Sequence, residues 1–348
     1  MRGRTARRAG VHVPFQRDGS QHQPGVRGRT QGGRASDGAS DHKGGLGRRT
    51  HPGQERRHHE PRRRRTGCHP PDPPFPLLPP GQRLGSAPVT EPDDDPQRRA
   101  ESLITAIPRN RRRIYDPRAI LDAVLDKDSF FEIGPYYGRA RVTGLARVNG
   151  HPVGVMANHP KYNGGSMDIA TGEKTIRLIE LCDTFHLPLV YFADEPGFSV
   201  GRAQEELGIV RAGARVVTTL TQSKTPYICF VLRQLYGVAG GLHQRGGDGL
   251  YRRYCWPSTH GGSMHIEGGT AIAYKRDIEN APDPEARRKE IEARLQAISS
   301  PFRKAHAFGI EELIDPRDTR PLLVDFIDDA WKVVQTQLGP GSGPSYRP

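Results

Sequence analysis

Two apolar runs, Leu187-Pro-Leu-Val-Tyr-Phe192 and Tyr227-Ile-Cys-Phe-Val-Leu232, constrain the fold of this chain more than any other feature. Neither alternates with polar residues, so neither suits a sheet with one face in water. Strands that are apolar throughout are buried on both faces, as in parallel sheets covered by helices. What precedes each run agrees. Residues 168–185 carry Ile176, Leu178, Ile179 and Leu181 at helical spacing and Pro188 ends that phase, and residues 204–222 form a second helical stretch ahead of Tyr227. The repeated helix–strand order predicts an α/β fold with a parallel sheet. Ligands of such sheets sit at the carboxyl ends of the strands. Those ends are Asp194-Glu-Pro-Gly197-Phe198 and Tyr236-Gly-Val-Ala-Gly-Gly241.

Upstream, Asp116 reads as an N-cap and Pro117 as the first residue of a short helix carrying Ile120, Leu121, Val124 and Leu125. Residues 140–148 and 153–157 read as strands joined by Asn149-Gly150, the signal of a type I′ hairpin. Downstream, residues 284–298 read as a charged amphipathic helix with Ile291, Leu295 and Ile298 on one face, placed to pack on a neighbouring element or a second subunit. Residues 315–321 read as a polar turn into a final helix through Trp331.

Residues 1–90 are a different polymer. They hold 18 basic against 6 acidic side chains and contain no Ile, Tyr or Trp, whereas the remainder is nearly neutral. Such a stretch cannot bury enough apolar surface to offset chain entropy. The expected organisation is a disordered arm over 1–90, one domain over 91–338 and a disordered tail over 339–348. The arm's composition is also that of a GC-rich coding region read out of frame, and that reading stands beside the first. The run Arg62–Arg65 is an electrostatic footprint for a polyanion, but Phe15 and Phe75 are the arm's only aromatic residues other than histidine, so nucleic-acid binding is disfavoured. No apolar run approaches the length of a membrane span or a secretory leader. Cys68, Cys182, Cys229 and Cys255 are widely spaced and form no CxxC pair, which points to reduced thiols in a cytoplasmic protein and gives a metal site no support.

The loop Gly237-Val238-Ala239-Gly240-Gly241 is the leading candidate for chemistry. Small residues let a ligand approach the backbone, and successive N–H groups entering a helix stabilise an oxyanion. The same pattern also makes a plain tight turn. Pro196-Gly197-Phe198 at the neighbouring strand end is either a second wall of the same cleft or a turn with one core aromatic. Gly261-Gly262 with Glu267-Gly268-Gly269 either line that cleft or end strands. Ser166 lies in Gly164-Gly165-Ser166-Met167, which is not a nucleophile elbow. Asp194, Glu195, His243 and Glu267 could each act as an acid or base, although single titratable groups near glycines are usually surface or structural. With neither GxGxxG nor GKS/GKT present, nucleotide binding is disfavoured.

At this point the residues become specific. Asp128-Ser-Phe-Phe-Glu-Ile-Gly134, Gly144-Leu-Ala-Arg-Val-Asn-Gly-His-Pro-Val-Gly-Val-Met-Ala-Asn158, Ile179-Glu-Leu-Cys-Asp-Thr-Phe-His-Leu-Pro-Leu-Val190, Pro196-Gly-Phe198, Arg211-Ala-Gly-Ala214 and Asp315-Pro-Arg-Asp-Thr-Arg320 occur in order. This series resembles the C-terminal half of the acyl-CoA carboxylase carboxyltransferase family, the β subunits of propionyl-CoA and methylcrotonyl-CoA carboxylases among them. The resemblance implies a crotonase-like ββα superhelix and transfer of a carboxyl group from carboxybiotin to the α-carbon of an acyl-CoA. It implies biotin carried on a biotin carboxylase or biotin carrier partner, and a homo-oligomer or a partner chain bringing the acyl-CoA-side half, which this chain lacks. It assigns the backbone N–H groups of Gly237, Val238, Ala239 and Gly240, best Val238 and Ala239, to the ureido oxygen of biotin. Pro196, Gly197, Phe198 and Gly241 would shape the biotin cleft. Val238 stands where the family usually has Gly or Ala, which narrows the pocket without removing the donor. A biotin-dependent decarboxylase subunit and a non-catalytic interaction fragment are the competing readings.

Overall fold

The computed structural model describes residues 84–110, 113–241 and 249–339. Two short helices, α1 (Ser102–Ala106) and α2 (Arg118–Val124), lead into β1 (Phe131–Glu132), β2 (Arg141–Val148) and β3 (His151–Asn158). Then come α3 (Ile169–Phe185), β4 (Leu189–Glu195), α4 (Arg202–Glu206), α5 (Ile209–Gln222), β5 (Tyr227–Tyr236) and α6 (Gly237–Gly241). The remainder is β6 (Tyr251–Cys255), β7 (His260–Gly262), α7 (Ile266–Ala273), α8 (Lys275–Glu279), α9 (Pro284–Ile298), α10 (Pro301–His306), β8 (Glu312–Leu313) and α11 (Thr319–Thr336).

The strands form one sheet in the order β1-β2-β3-β4-β5-β6-β8, with β7 pairing the far end of β5. β1 and β3 run antiparallel to β2. Every pairing from β3 to β8 is parallel. The continuous apolar runs are explained by burial on both faces. Val190 and Phe192 of β4 and Ile228, Phe230 and Leu232 of β5 join α2 and α11 in one core. The alternate residues Tyr191, Ala193, Cys229 and Val231 face α3 and α5 in a second. Phe192, Phe230 and Tyr254 stack across β4, β5 and β6 with successive centroids 5.7 Å apart.

The hairpin takes the expected turn, with positive φ at Asn149 and Gly150. Asp168 caps α3, its carboxylate accepting the Thr171 N–H at 2.8 Å, and His186 closes that helix in the left-handed conformation. The long helix expected over 204–222 is instead α4 and α5, broken at Gly208, whose φ of 85° no helix accommodates. α2 begins at Arg118 and not at Pro117, with Asp116 accepting the Arg118 N–H at 3.0 Å. The final helix continues past Trp331 to Thr336. On α9, Ile291 is buried while Ile298 is half exposed, so the expected apolar face is only partly covered.

Residues 1–83 and 340–348, on which most of the expected arm and tail fall, lie outside the described residues, as does Cys68. Residues 84–90 are described and belong to the folded body. Ala87 is buried, Thr90 N–H donates to Gly150 O at 3.1 Å, and Arg147 donates to Pro88 O at 3.0 Å. Packing therefore begins ahead of Glu91.

Candidate functional site

The carboxyl ends of β4 and β5 lie side by side, Glu195 pairing with Leu235. β5 does not stop after Leu232. It continues through Arg233 and Gln234 to Tyr236, because these polar residues are buried against partners and not against water. The glycine segment that follows is therefore the opening of a helix, α6, and not a free loop. Gly237, at φ 62°, makes the sharp exit from the strand in a conformation a side chain resists. Val238 is 68% exposed, Ala239 and Gly240 are buried, and Gly241 is exposed. The first N–H groups of a helix precede its own hydrogen-bond ladder. Among the described residues, no hydrogen bond from outside α6 engages the N–H of Val238 or Ala239.

The neighbouring loop is held rigidly. Met167 N–H donates to Gly197 O at 3.0 Å and Ser199 N–H to Met167 O at 2.9 Å. Gly197 stands against Tyr236 O. The Phe198 ring turns inward onto Gly213 of α5 and packs against the second core. Gly261 and Gly262 end β7 beside Leu235 and Tyr236.

Asp194 and Glu195, offered by the sequence as acid–base candidates, are committed elsewhere. Both are wholly buried. Asp194 pairs with Arg233 at 2.9 Å and Glu195 with Arg141 at 2.7 Å. Burial pushes the Glu195 carboxyl up, with Arg141 and Asn158 opposing. Arg141 also donates to Asn158 Oδ1 at 3.0 Å and meets the Tyr191 hydroxyl. Asn158 in turn holds Gly165 O at 2.9 Å. These are structural ion pairs that tie the strand ends together. His243 and the side chain of Glu267 lie outside the described residues. No singled-out pattern contained His159, which follows β3 at the same end of the sheet. It is 2% exposed, edge-on to Tyr162, with Nε2 3.9 Å from Asp116. Burial lowers its pKa, with Asp116 opposing.

A cavity of about 680 Å³ opens nearby, but on the far side of β5. Ile104, Arg233, Trp256, His260, Ser299 and Phe302 border it, and residues 196–198 and 237–241 do not.

The fold defines a class: an α/β domain of crotonase type with a largely parallel sheet. Residues 75–338 match the carboxyl transferase domain, and the chain belongs to that family. It is 35% identical over 246 residues to the carboxyltransferase subunit of propionyl-CoA carboxylase from Haloferax mediterranei, covering 70% of this chain and 48% of that one. It is 31% identical over 249 residues to methylmalonyl-CoA decarboxylase subunit alpha from Veillonella parvula, covering 71% and 47%. The crystal structure of transcarboxylase 12S with bound methylmalonyl-coenzyme A superposes with a TM-score of 0.67 at 30% identity, over 76% of this chain and 50% of that one. The chain spans about half the length of the curated relatives it matches, and that half is C-terminal.

Proposed function

We propose that this chain is the biotin-side half of an acyl-CoA carboxyltransferase, acting with a biotin carrier and with an acyl-CoA-side half that closes over α6. The observation that carries this reading is the pair of N–H groups at Val238 and Ala239, which no described residue outside the helix engages, at the carboxyl end of β5. The donor set fits the group. A ureido oxygen is an acceptor, so it calls for N–H donors, which the first residues of α6 supply.

Bound carboxybiotin supplies the carboxyl group to be transferred. The N–H groups of Val238 and Ala239 would hold the ureido oxygen and would stabilise negative charge on it. The Gly197 backbone forms the facing wall, and Gly241 leaves the outer edge open. Because the donors are peptide groups on a strand end buried beneath them, they need no reorganisation during reaction. Each such donor contributes about 10²–10³ in rate where its loss has been measured. Positioning two substrates against each other supplies the rest.

The relatives act in both directions, as carboxylase and as decarboxylase, at similar identity. Direction is therefore set by what couples to the transfer, and the donors serve both. The purified chain is expected to form no carboxylated acyl-CoA by itself and to do so with an acyl-CoA-side half and a carboxylated carrier present. Robust product from the chain alone would refute the half-site reading.

A further inference from the structure

β5 reaches the donor turn through a bulge. Its register with β4 pairs Ala193 with Val231 and next Glu195 with Leu235. On β4 only Asp194 spans the interval that Leu232, Arg233 and Gln234 fill on β5. Such an insertion removes ladder partners and bends the strand. The backbone groups around it have partners. Val231 O accepts from the Trp256 N–H at 2.9 Å and from Thr259 Oγ1 at 2.7 Å, and Leu232 O from Ser258 Oγ at 2.6 Å. Gln234 donates twice to Asp194 Oδ1, from its backbone N at 3.0 Å and from Nε2 at 3.2 Å. Arg233 Nη2 lies 2.9 Å from Asp194 Oδ2, which also accepts from the Tyr115 hydroxyl at 3.0 Å. The backbone of Asp194 is fixed in turn, its N–H donating to Asn158 Oδ1 at 3.0 Å.

Beyond the bulge β5 gains a second neighbour, β7, which pairs Gln234–Tyr236 with His260–Gly262. The next residue is Gly237. The direction in which the chain leaves the sheet is therefore set three residues earlier, where a buried carboxylate takes the place of a strand carbonyl.

We infer that Asp194 is a positioning residue for the Val238–Ala239 donor pair, holding the β5 bulge through the Gln234 N–H and the Arg233 ion pair. The catalytic part of this rests on the donor role proposed above, and the structural part does not. Asp194 touches no reacting atom. Its effect is on where the donors point.

The test uses the full chain with Asp194→Ala and Arg233→Met together, which removes both charges from the interior so that neither is left uncompensated. The acceptor of the Gln234 N–H goes with them. Hydrogen exchange read by mass spectrometry is expected to quicken at least about tenfold in residues 235–241 while the β2–β3 hairpin stays unchanged. With an acyl-CoA-side half and a carboxylated carrier, kcat is expected to fall at least about tenfold and the acyl-CoA KM to move less than about twofold. Wild-type exchange in 235–241 of the double variant would overturn the inference. Faster exchange with undiminished turnover would uphold the bulge and refute the donor role, which separates the two failures. Should the double variant not fold, the wild-type chain decides. A Gln234 N–H protected at least about 100-fold over an unstructured amide supports the contact, and free exchange there overturns it.

Discussion

The Phe198 ring lies across Gly213 of α5, so closely that a Cβ on Gly213 would fall 2.6 Å from Cζ of the ring. A loop beside the candidate site is thus pinned by a residue that has no side chain, on a helix with which it shares no hydrogen bond among the described residues.

Gly213→Val tests that relationship. In an exposed helix, replacing glycine gains stability, but here three ring atoms lie within 3.3 Å of the new carbon. Overpacking of this kind costs about 1–3 kcal/mol. Thermal denaturation should show a lowered midpoint, and a variant as stable as wild type would mean the ring does not occupy that notch.

Arg320 is expected to be the most sensitive charge in the domain. It is fully buried, 2.9 Å from Asp126, and donates to Val124 O and Asp95 O at 2.8 Å each. Asp126 also accepts the N–H groups of Asn149 and Gly150, so the pair joins α11 to the hairpin turn. Arg320→Ala leaves buried carboxylate uncompensated, a loss of about 3–5 kcal/mol where such pairs have been broken. Denaturant titration should show little folded protein, or a midpoint far below that of Arg320→Lys.

The three described cysteines should resist thiol reagents in the native chain. Cys182, Cys229 and Cys255 are each wholly buried and free. Burial pushes the Cys229 thiol up to about 12 and raises the other two. The thiolate is the reactive form. Peptide mapping after iodoacetamide treatment should find these three labelled only once the chain is unfolded, and rapid native labelling of any of them would contradict their placement.

His159 gives the fold an acid sensitivity. Burial lowers its pKa below the ordinary histidine value of 6.5. As pH falls through 6.5, the unfolded chain takes up a proton that folded His159 resists, so its contribution favours unfolding increasingly until the folded pKa is passed. His159→Gln should therefore lose less stability than wild type between about pH 6.5 and 5, the slope being set by proton uptake. Parallel stability–pH curves for the two proteins would show that His159 titrates as if exposed.

How far the sequence foretold this can be judged element by element. Asn149-Gly150, the helical spacing of Ile176 to Leu181 and the two apolar runs act locally, through turn geometry, helix periodicity and burial on both faces, so the hairpin, α3, β4 and the start of β5 were legible. The continuation of β5 was not. Arg233 and Gln234 look like a strand's end until Asp194, far away in the chain, is seen to satisfy them. Asp194 and Glu195 looked chemically available for the same reason, since only tertiary contact reveals their partners. The break at Gly208 was not legible either, because a lone glycine within helical spacing does not by itself end a helix. The ordered blocks from Asp128 to Arg320 carried the family, and the match over residues 75–338 agrees with them.

The most direct measurement is made on the two donor amides themselves. The 15N-labelled full chain is titrated with a biotin ester and followed by amide resonances. The expected result is saturable shifts at Val238 and Ala239, extending to Gly197 and Gly241, with the β2–β3 hairpin unmoved. Shifts confined to residues around the cavity between Trp256 and Phe302, or none at saturating biotin ester, would contradict a ureido-binding role for the turn after β5.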